Sequence, residues 1–309
     1  MNKVGVQSEG WYHDSDPLAS LAYIKSCGFD AIDFNINRYV STPRLAEEGL
    51  YPNLFDRSRE ELIAYFTPLK QAAEQTGVSI SQMHAPYPSW FSGAEEANGY
   101  LLSVLDKCFA VAEYLGCPAV VVHPSDAPDR SHAAEWEINL AHYRSLIPLI
   151  RQYHGVKVCL ENLFSYYRTR VVEGRLSNAS DVCRMVDLLN EEAGGDYFGF
   201  CFDVGHAILT GRNIRDFIRE VGHRLTILHL HDNNGLFDLH MIPYSYVSKR
   251  GVHICDWKGL IDGLREIGYT GALSFETFST FQAYPEAVHT EVLKLISAIG
   301  RHWASELAK

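Results

Sequence analysis

Short runs of consecutive apolar residues alternate along the chain with longer segments in which apolar residues recur at helical spacing. The runs are KVGVQ from residue 3, FDAIDF from 29, VSISQMH from 78, AVVVH from 119, KVCLE from 157, YFGFCFD from 197, LTILHL from 225 and ALSFE from 272. Amphipathic segments fill the intervals, among them 58–77, 101–116 and 134–155. Several end in a glycine just before the next run (Gly28, Gly77, Gly116, Gly155, Gly268), the signal of a helix cap followed by a short turn. Strand and helix in strict alternation predict a parallel sheet, and eight such units are the number that closes a (β/α)8 TIM barrel. An open doubly wound sheet competes, but it usually carries a glycine-rich phosphate loop after its first strand. Here that turn reads SEGWYHDSDP, with one glycine. No linker composition interrupts 1–309, so a single barrel domain is expected. Three long connections, Asn35–Asp56, Asn162–Ser177 and His231–Asp256, would emerge on the C-terminal face, where barrels of this kind place their active sites.

The ends of the runs carry the chemistry. Run three stops at His84, run four at His123, run five at Glu161 and run six at Asp203, with His206 one short turn on. Run seven stops at His229 and run eight at Glu276. A closed barrel gathers these ends around one axis. Each has a plainer account: a strand-end histidine is commonly a hydrogen-bonded structural residue, and Asp203 or Glu161 could cap the helix that follows. Glutamate is a poor cap, however, and carboxylates facing one axis would repel and take up protons unless a cation joined them. The joint pattern points to a metal site. Its Glu, Asp and His donors suit Mn²⁺, Mg²⁺ or Co²⁺ and can hold Zn²⁺, and the lack of thiolate ligands argues against a structural zinc.

Composition narrows the partners. Among 309 residues 47% are hydrophobic and 21% charged, so the chain is an ordinary globular one. The net charge of −11 disfavours nucleic acid as a partner. In the long loops, Arg38, Arg44, Arg57, Arg168, Arg170, Arg175, Lys249 and Arg250 are nearly balanced by Glu47, Glu48, Asp56, Glu173, Asp232, Asp238 and Asp256. The strand-four connection PSDAPDRSH adds further acid. Seven cysteines, odd in number and never in a CxxC pair, read as reduced core residues of a cytoplasmic protein. The N-terminus shows no signal-peptide pattern and no run reaches membrane-spanning length. Trp11, Trp90, Phe91, Tyr166 and Tyr167 lie just past strand ends and are candidates for stacking on the apolar face of a ligand, or for simple loop packing.

The motifs QMHAPY (82–87), VVHP (121–124), CLEN (159–162), FDVGHA (202–207), HLHD (229–232), DLH (238–240) and SFET (274–277) together resemble the xylose isomerase-like TIM-barrel superfamily. That superfamily holds sugar phosphate isomerases and epimerases, inosose dehydratase-like enzymes and the endonuclease IV group. The resemblance implies one divalent cation on Glu161, Asp203, His229 and Glu276. His229 is preferred to His231 because it stands in the His-x-x-Asp spacing with Asp232. It implies Glu161 and Glu276 as the acid–base pair and His206 as a contact of a small sugar substrate; Trp11 and Trp90, by stacking, and Arg168, by charge, are further candidates for that contact. The endonuclease IV group holds up to three zinc ions, and its additional ligands correspond to His84, His123, His206, Asp238 and His240. Gly235 stands where the ketose epimerases of the group have a substrate-binding arginine, and the segment after Asp238–His240 is longer than theirs.

The expected activity is a divalent-metal-dependent sugar isomerase or epimerase that moves a proton next to a carbonyl through an enediolate. The alternatives are a zinc-dependent phosphodiesterase of the endonuclease IV kind, or a dehydratase or lyase on a sugar or cyclitol. The sequence leaves open whether the chain forms a homo-oligomer.

Overall fold

The computed structural model describes residues 1–125 and 131–309, so most of the acidic strand-four connection lies outside the described residues. Among the described residues there are ten strands: β1 (Val4–Gln7), β2 (Ala31–Asn35), β3 (Ser79–His84), β4 (Ala119–Val121), β5 (Lys157–Glu161), β6 (Phe164–Tyr167), β7 (Arg170–Glu173), β8 (Phe198–Asp203), β9 (Leu225–His229) and β10 (Leu273–Phe275). Eight of them form one parallel sheet in the order β10-β1-β2-β3-β4-β5-β8-β9, and each predicted apolar run supplies one of these strands. The ring closes between β9 and β10, where the Leu230 N–H donates to Ser274 O at 2.9 Å and the Glu276 N–H to Leu230 O at 3.1 Å. The fold is a TIM barrel with its helices on the outside.

The expected helices form with shifted ends. Helix Arg59–Thr76 starts in a capping box between Ser58 and Glu61 and stops at Gly77, which takes the left-handed conformation at φ 68°. The next helix begins at Glu95, not 101, because its apolar face starts only at Leu101 while Glu95 and Glu96 favour the positive first turn. Helix His132–Ile150 ends before the predicted 155, and residues 151–155 form turns. Among the described residues, no helix is long and apolar enough to cross a membrane. The seven cysteines form no disulfide, and all but Cys183 are buried.

Strand alternation divides the core in two. Residues such as Val120, Val158, Phe200 and Leu228 face outward into the large layer packed under the helices. Their neighbours Ala119, Val121, Cys159, Cys201 and Ile227 form a small separate cluster that fills the barrel interior. Side chains two residues apart on a strand share a face. The next inward positions above that cluster are therefore His123, Glu161, Asp203 and His229. The polar residues are the top layer of a stack whose lower layers are small and apolar.

β6 and β7 were not anticipated. They pair antiparallel as a hairpin, Tyr167 opposite Arg170, inside the long connection after β5.

Candidate metal centre

The imidazole of His229 is wholly buried and is the hub of the site. Its Nδ1 lies 3.1 Å from Glu161 Oε1, 3.6 Å from Glu276 Oε2 and 3.8 Å from Asp203 Oδ2. Side chains from β5, β8, β9 and the residue after β10 thus meet within a few ångströms. The remaining predicted ligands surround this group. His84 Nε2 lies 3.5 Å from Glu276 Oε1 and His123 Nε2 2.8 Å from Glu161 Oε2. On the other side, Asp238 Oδ2 is 3.4 Å from His206 Nε2 and 2.9 Å from His240 Nε2. Ligand atoms fall within 4.8 Å of one another in several sets, including His84–His123–Glu161, Glu161–Asp203–His206 and His206–His231–Asp238–His240.

Backbone carbonyls fix which ring nitrogen His206 and His240 present. Asp203 caps the short helix Val204–Leu209 by accepting from the His206 N–H at 2.7 Å, so the plainer capping role and the site role coincide in one residue. Asn162 brackets Asp203, donating from Nδ2 to its carbonyl and accepting its N–H, each at 2.8 Å. The Asn162 carbonyl also faces His206 Nδ1 at 2.7 Å, and the Glu276 carbonyl faces His240 Nδ1 at 3.0 Å. Both rings can donate N–H there, which leaves Nε2 turned toward Asp238.

His231, set aside in favour of His229, is nonetheless part of the structure of the site. Its Nε2 lies 3.1 Å from both Asp203 oxygens, and its ring stacks on His240 at 3.9 Å. Gly205 makes room for it: a β-carbon there would come within 1.9 Å of His231 Cε1. Gly205→Ala is accordingly expected to push His231 off Asp203 and cost about 1–3 kcal/mol, the usual range for overpacking. Denaturant unfolding of the metal-free variant checks this, and a variant as stable as the parent would refute the steric account.

Burial raises the carboxylate pKa values here, yet the imidazoles overcome it. Glu161 is held well below its ordinary range by His123 and His229, and Asp203 is lowered by His206 and His231. In turn, burial opposes charging of His229 and His206, but Cys201, Glu276 and Glu161 around His229, and Asp203 and Asp238 beside His206, hold both well above the usual histidine value. For His240, Glu276 and Asp238 outweigh burial and raise it to about 9. Burial pushes the nearby Cys201 thiol well up, and its sulfur lies within 4.8 Å of ligand atoms of Glu161 and His229. Asp238 Oδ1, His123 Nδ1 and His231 Nδ1 are buried without a hydrogen-bond partner among the described residues. Orphaned donor atoms and interlocked carboxylates and imidazoles fit a divalent cation with oxygen and nitrogen ligands.

A cavity of about 560 Å³ opens over this layer. Glu161, Glu276, His206 and Tyr166 line it, with Glu9 and Asn35, which the sequence did not single out. The structure does not bring Trp11, Trp90 or Arg168 to it. Trp11 is turned inward, its Nε1–H donating to Gln7 O at 2.6 Å. Trp90 lines an outer groove with Leu102 and Glu137, and Arg168 sits at the hairpin tip over Tyr167. Asp33 was also missed; it is 1% exposed and lies beneath the mouth between His84 and His229.

A family model described as xylose isomerase-like TIM barrel matches residues 21–297. The chain belongs to that family. It is 27% identical over 281 residues to the uncharacterized protein y4fM of Sinorhizobium fredii, covering 87% of this chain and 83% of that one. Among solved structures it is similar to 3-keto-D-glucoside 4-epimerase, YcjR, from E. coli, with TM-score 0.70 and 18% identity over 98% of this chain and 100% of that one. It is also similar to the IolI protein with a bound zinc atom, with TM-score 0.66 and 16% identity over 99% and 97% of the two chains. At these identities the structural likeness establishes the fold.

Proposed function

We propose that this family member is a divalent-metal-dependent sugar isomerase or epimerase. The observation that carries the reading is the ring of Glu161, Asp203 and Glu276 around His229 Nδ1, directly under a cavity of about 560 Å³. That size suits a small molecule. The sugar epimerase and the zinc-holding protein among its structural relatives support the same class.

Glu161, Asp203, His229 and Glu276 would hold the cation, which supplies Lewis-acid stabilisation of charge developing on substrate oxygens. The chain does the rest. One of the two glutamates accepts the proton from the carbon beside the carbonyl, and the other returns one from the opposite face, through an enediolate. Return to the same carbon epimerises; return to its neighbour isomerises. Glu161 is oriented for this by His123 and His229. His206 lines the cavity and can meet a substrate oxygen. Glu9, steadied by the Asn35 Nδ2–H at 2.9 Å, offers an acceptor to sugar hydroxyls. Tyr166, on the hairpin, can cover an apolar sugar face.

A second reading has specific support in the gathering of His84, His123, Asp238 and His240 around the centre, which supplies donors for more than one metal ion. One experiment separates the two. Metal analysis of the purified protein is expected to give about one divalent ion per chain, and incubation with a panel of ketoses in D₂O to give deuterium exchange. Three zinc ions per chain together with nicking of an abasic duplex, and no exchange on any ketose, would reverse the assignment.

A further inference from the structure

We infer that Asp33 is a positioning residue that sets the ring orientation of His84 and His229 together and thereby the affinity of the metal centre; this rests on the metal reading above. Asp33 lies on β2, beyond a register irregularity between Ile32 and Asp33 in the pairing with β3. That irregularity brings Asp33 opposite Gln82, whose Nε2 donates to Asp33 Oδ2 at 3.0 Å and to Leu228 O at 3.2 Å. The carboxylate is thus tied to both β3 and β9, the strands that carry the two histidines. Its Oδ1 lies 2.9 Å from His84 Nδ1 and its Oδ2 3.4 Å from His229 Nε2. The two rings lie nearly parallel, 4.4 Å apart with planes 16° from each other. His229 Nε2 has no hydrogen-bond partner of standard geometry, and the Asp33 oxygen is the acceptor it faces.

An imidazole that gives one N–H to a carboxylate offers its other nitrogen as the ligand atom. Asp33 takes Nδ1–H from His84 and so leaves Nε2, the atom directed at Glu276. Its Oδ2, 3.4 Å from His229 Nε2, is the acceptor that ring nitrogen faces, which leaves Nδ1 directed at Glu161, Asp203 and Glu276. One carboxylate therefore imposes opposite tautomers on two adjacent rings. A merely space-filling aspartate would impose neither.

Two measurements on the full chain test this, with zinc as the probe. In the zinc-loaded parent, ¹⁵N NMR of the histidine rings is expected to show the proton on Nδ1 of His84 and on Nε2 of His229. Asp33→Asn, nearly equal in volume but a weaker acceptor that adds a donor, is expected to raise the zinc Kd by about 10–100-fold, the range found when such outer partners of metal ligands are changed. The reverse tautomers, or a folded Asp33→Asn protein that binds zinc within about threefold of the parent, would overturn the inference while leaving the metal site standing. A parent that takes up no zinc would overturn both. Should Asp33→Asn fail to fold, the ring tautomers of the parent decide alone.

Discussion

Glu161→Gln and Glu276→Gln are each expected to slow deuterium incorporation into a ketose substrate by about 10²–10⁴-fold, the share that a positioned acid–base group contributes. Their accompanying effects should differ. Glu161 is 1% exposed, and its two oxygens face His123 Nε2 and His229 Nδ1. An amide there offers one oxygen where two are used and turns an NH₂ group toward ring nitrogens, so this variant is expected to lose metal as well as exchange. Glu276 has a side chain 15% exposed and reaches the cavity. What steadies His240 at this position is the Glu276 backbone carbonyl, which a side-chain change leaves in place. Glu276→Gln should therefore retain more of its metal while losing exchange. ¹H NMR of the exchanging C–H, alongside metal analysis of the same preparations, reads both quantities. Exchange within about tenfold of the parent in either variant would rule out the two-glutamate mechanism.

The barrel was legible because its strands are buried on both faces and read as unbroken apolar runs. The inward parity that brings Glu161, Asp203 and His229 together follows from the same period of two. What was lost depended on contacts that the period does not encode. Asp33 sits in FDAIDF beside Asp30 with nothing in the string to separate them. The register irregularity after Ile32 sets it among the site residues, and that is a property of the β2–β3 pairing. His231 shares its parity with His229, and only the space left by Gly205 shows that it can lie against Asp203. The β6–β7 hairpin turns through Arg168 at φ 56°, a left-handed position usually marked by glycine or asparagine, so the usual turn signal is missing. Trp11 and Trp90 are near strand ends in sequence, but proximity along the chain does not fix where a ring points.

Raising the pH from 6 to 8 is expected to tighten metal binding by up to about 100-fold, because the cation competes with a proton for the His229 nitrogen. In the metal-free protein burial opposes charging of His240, yet Glu276 and Asp238 hold its pKa at about 9. His206, by Asp203 and Asp238, and His229, by Cys201, Glu276 and Glu161, are likewise raised well above the ordinary value against burial. The His229 nitrogen that becomes a ligand must release its proton, and below the raised pKa of that group the apparent affinity rises roughly tenfold per pH unit. The same shift governs stability without metal. A histidine whose folded pKa lies above its unfolded one stabilises the fold fully below about pH 6.5 and loses that contribution as pH rises through the folded value. For His240 the interval from 6.5 to about 9 corresponds to about 3 kcal/mol. Chelator-treated protein should therefore melt at progressively lower temperature from pH 6 to 9, while metal-loaded protein, in which His229 no longer carries a proton, should fall less steeply. Zinc titrations at several pH values, repeated in buffers of different ionisation enthalpy to count released protons, test the linkage directly. A pH-independent Kd, or uptake without proton release, would mean that the cation does not sit on the His229 imidazole.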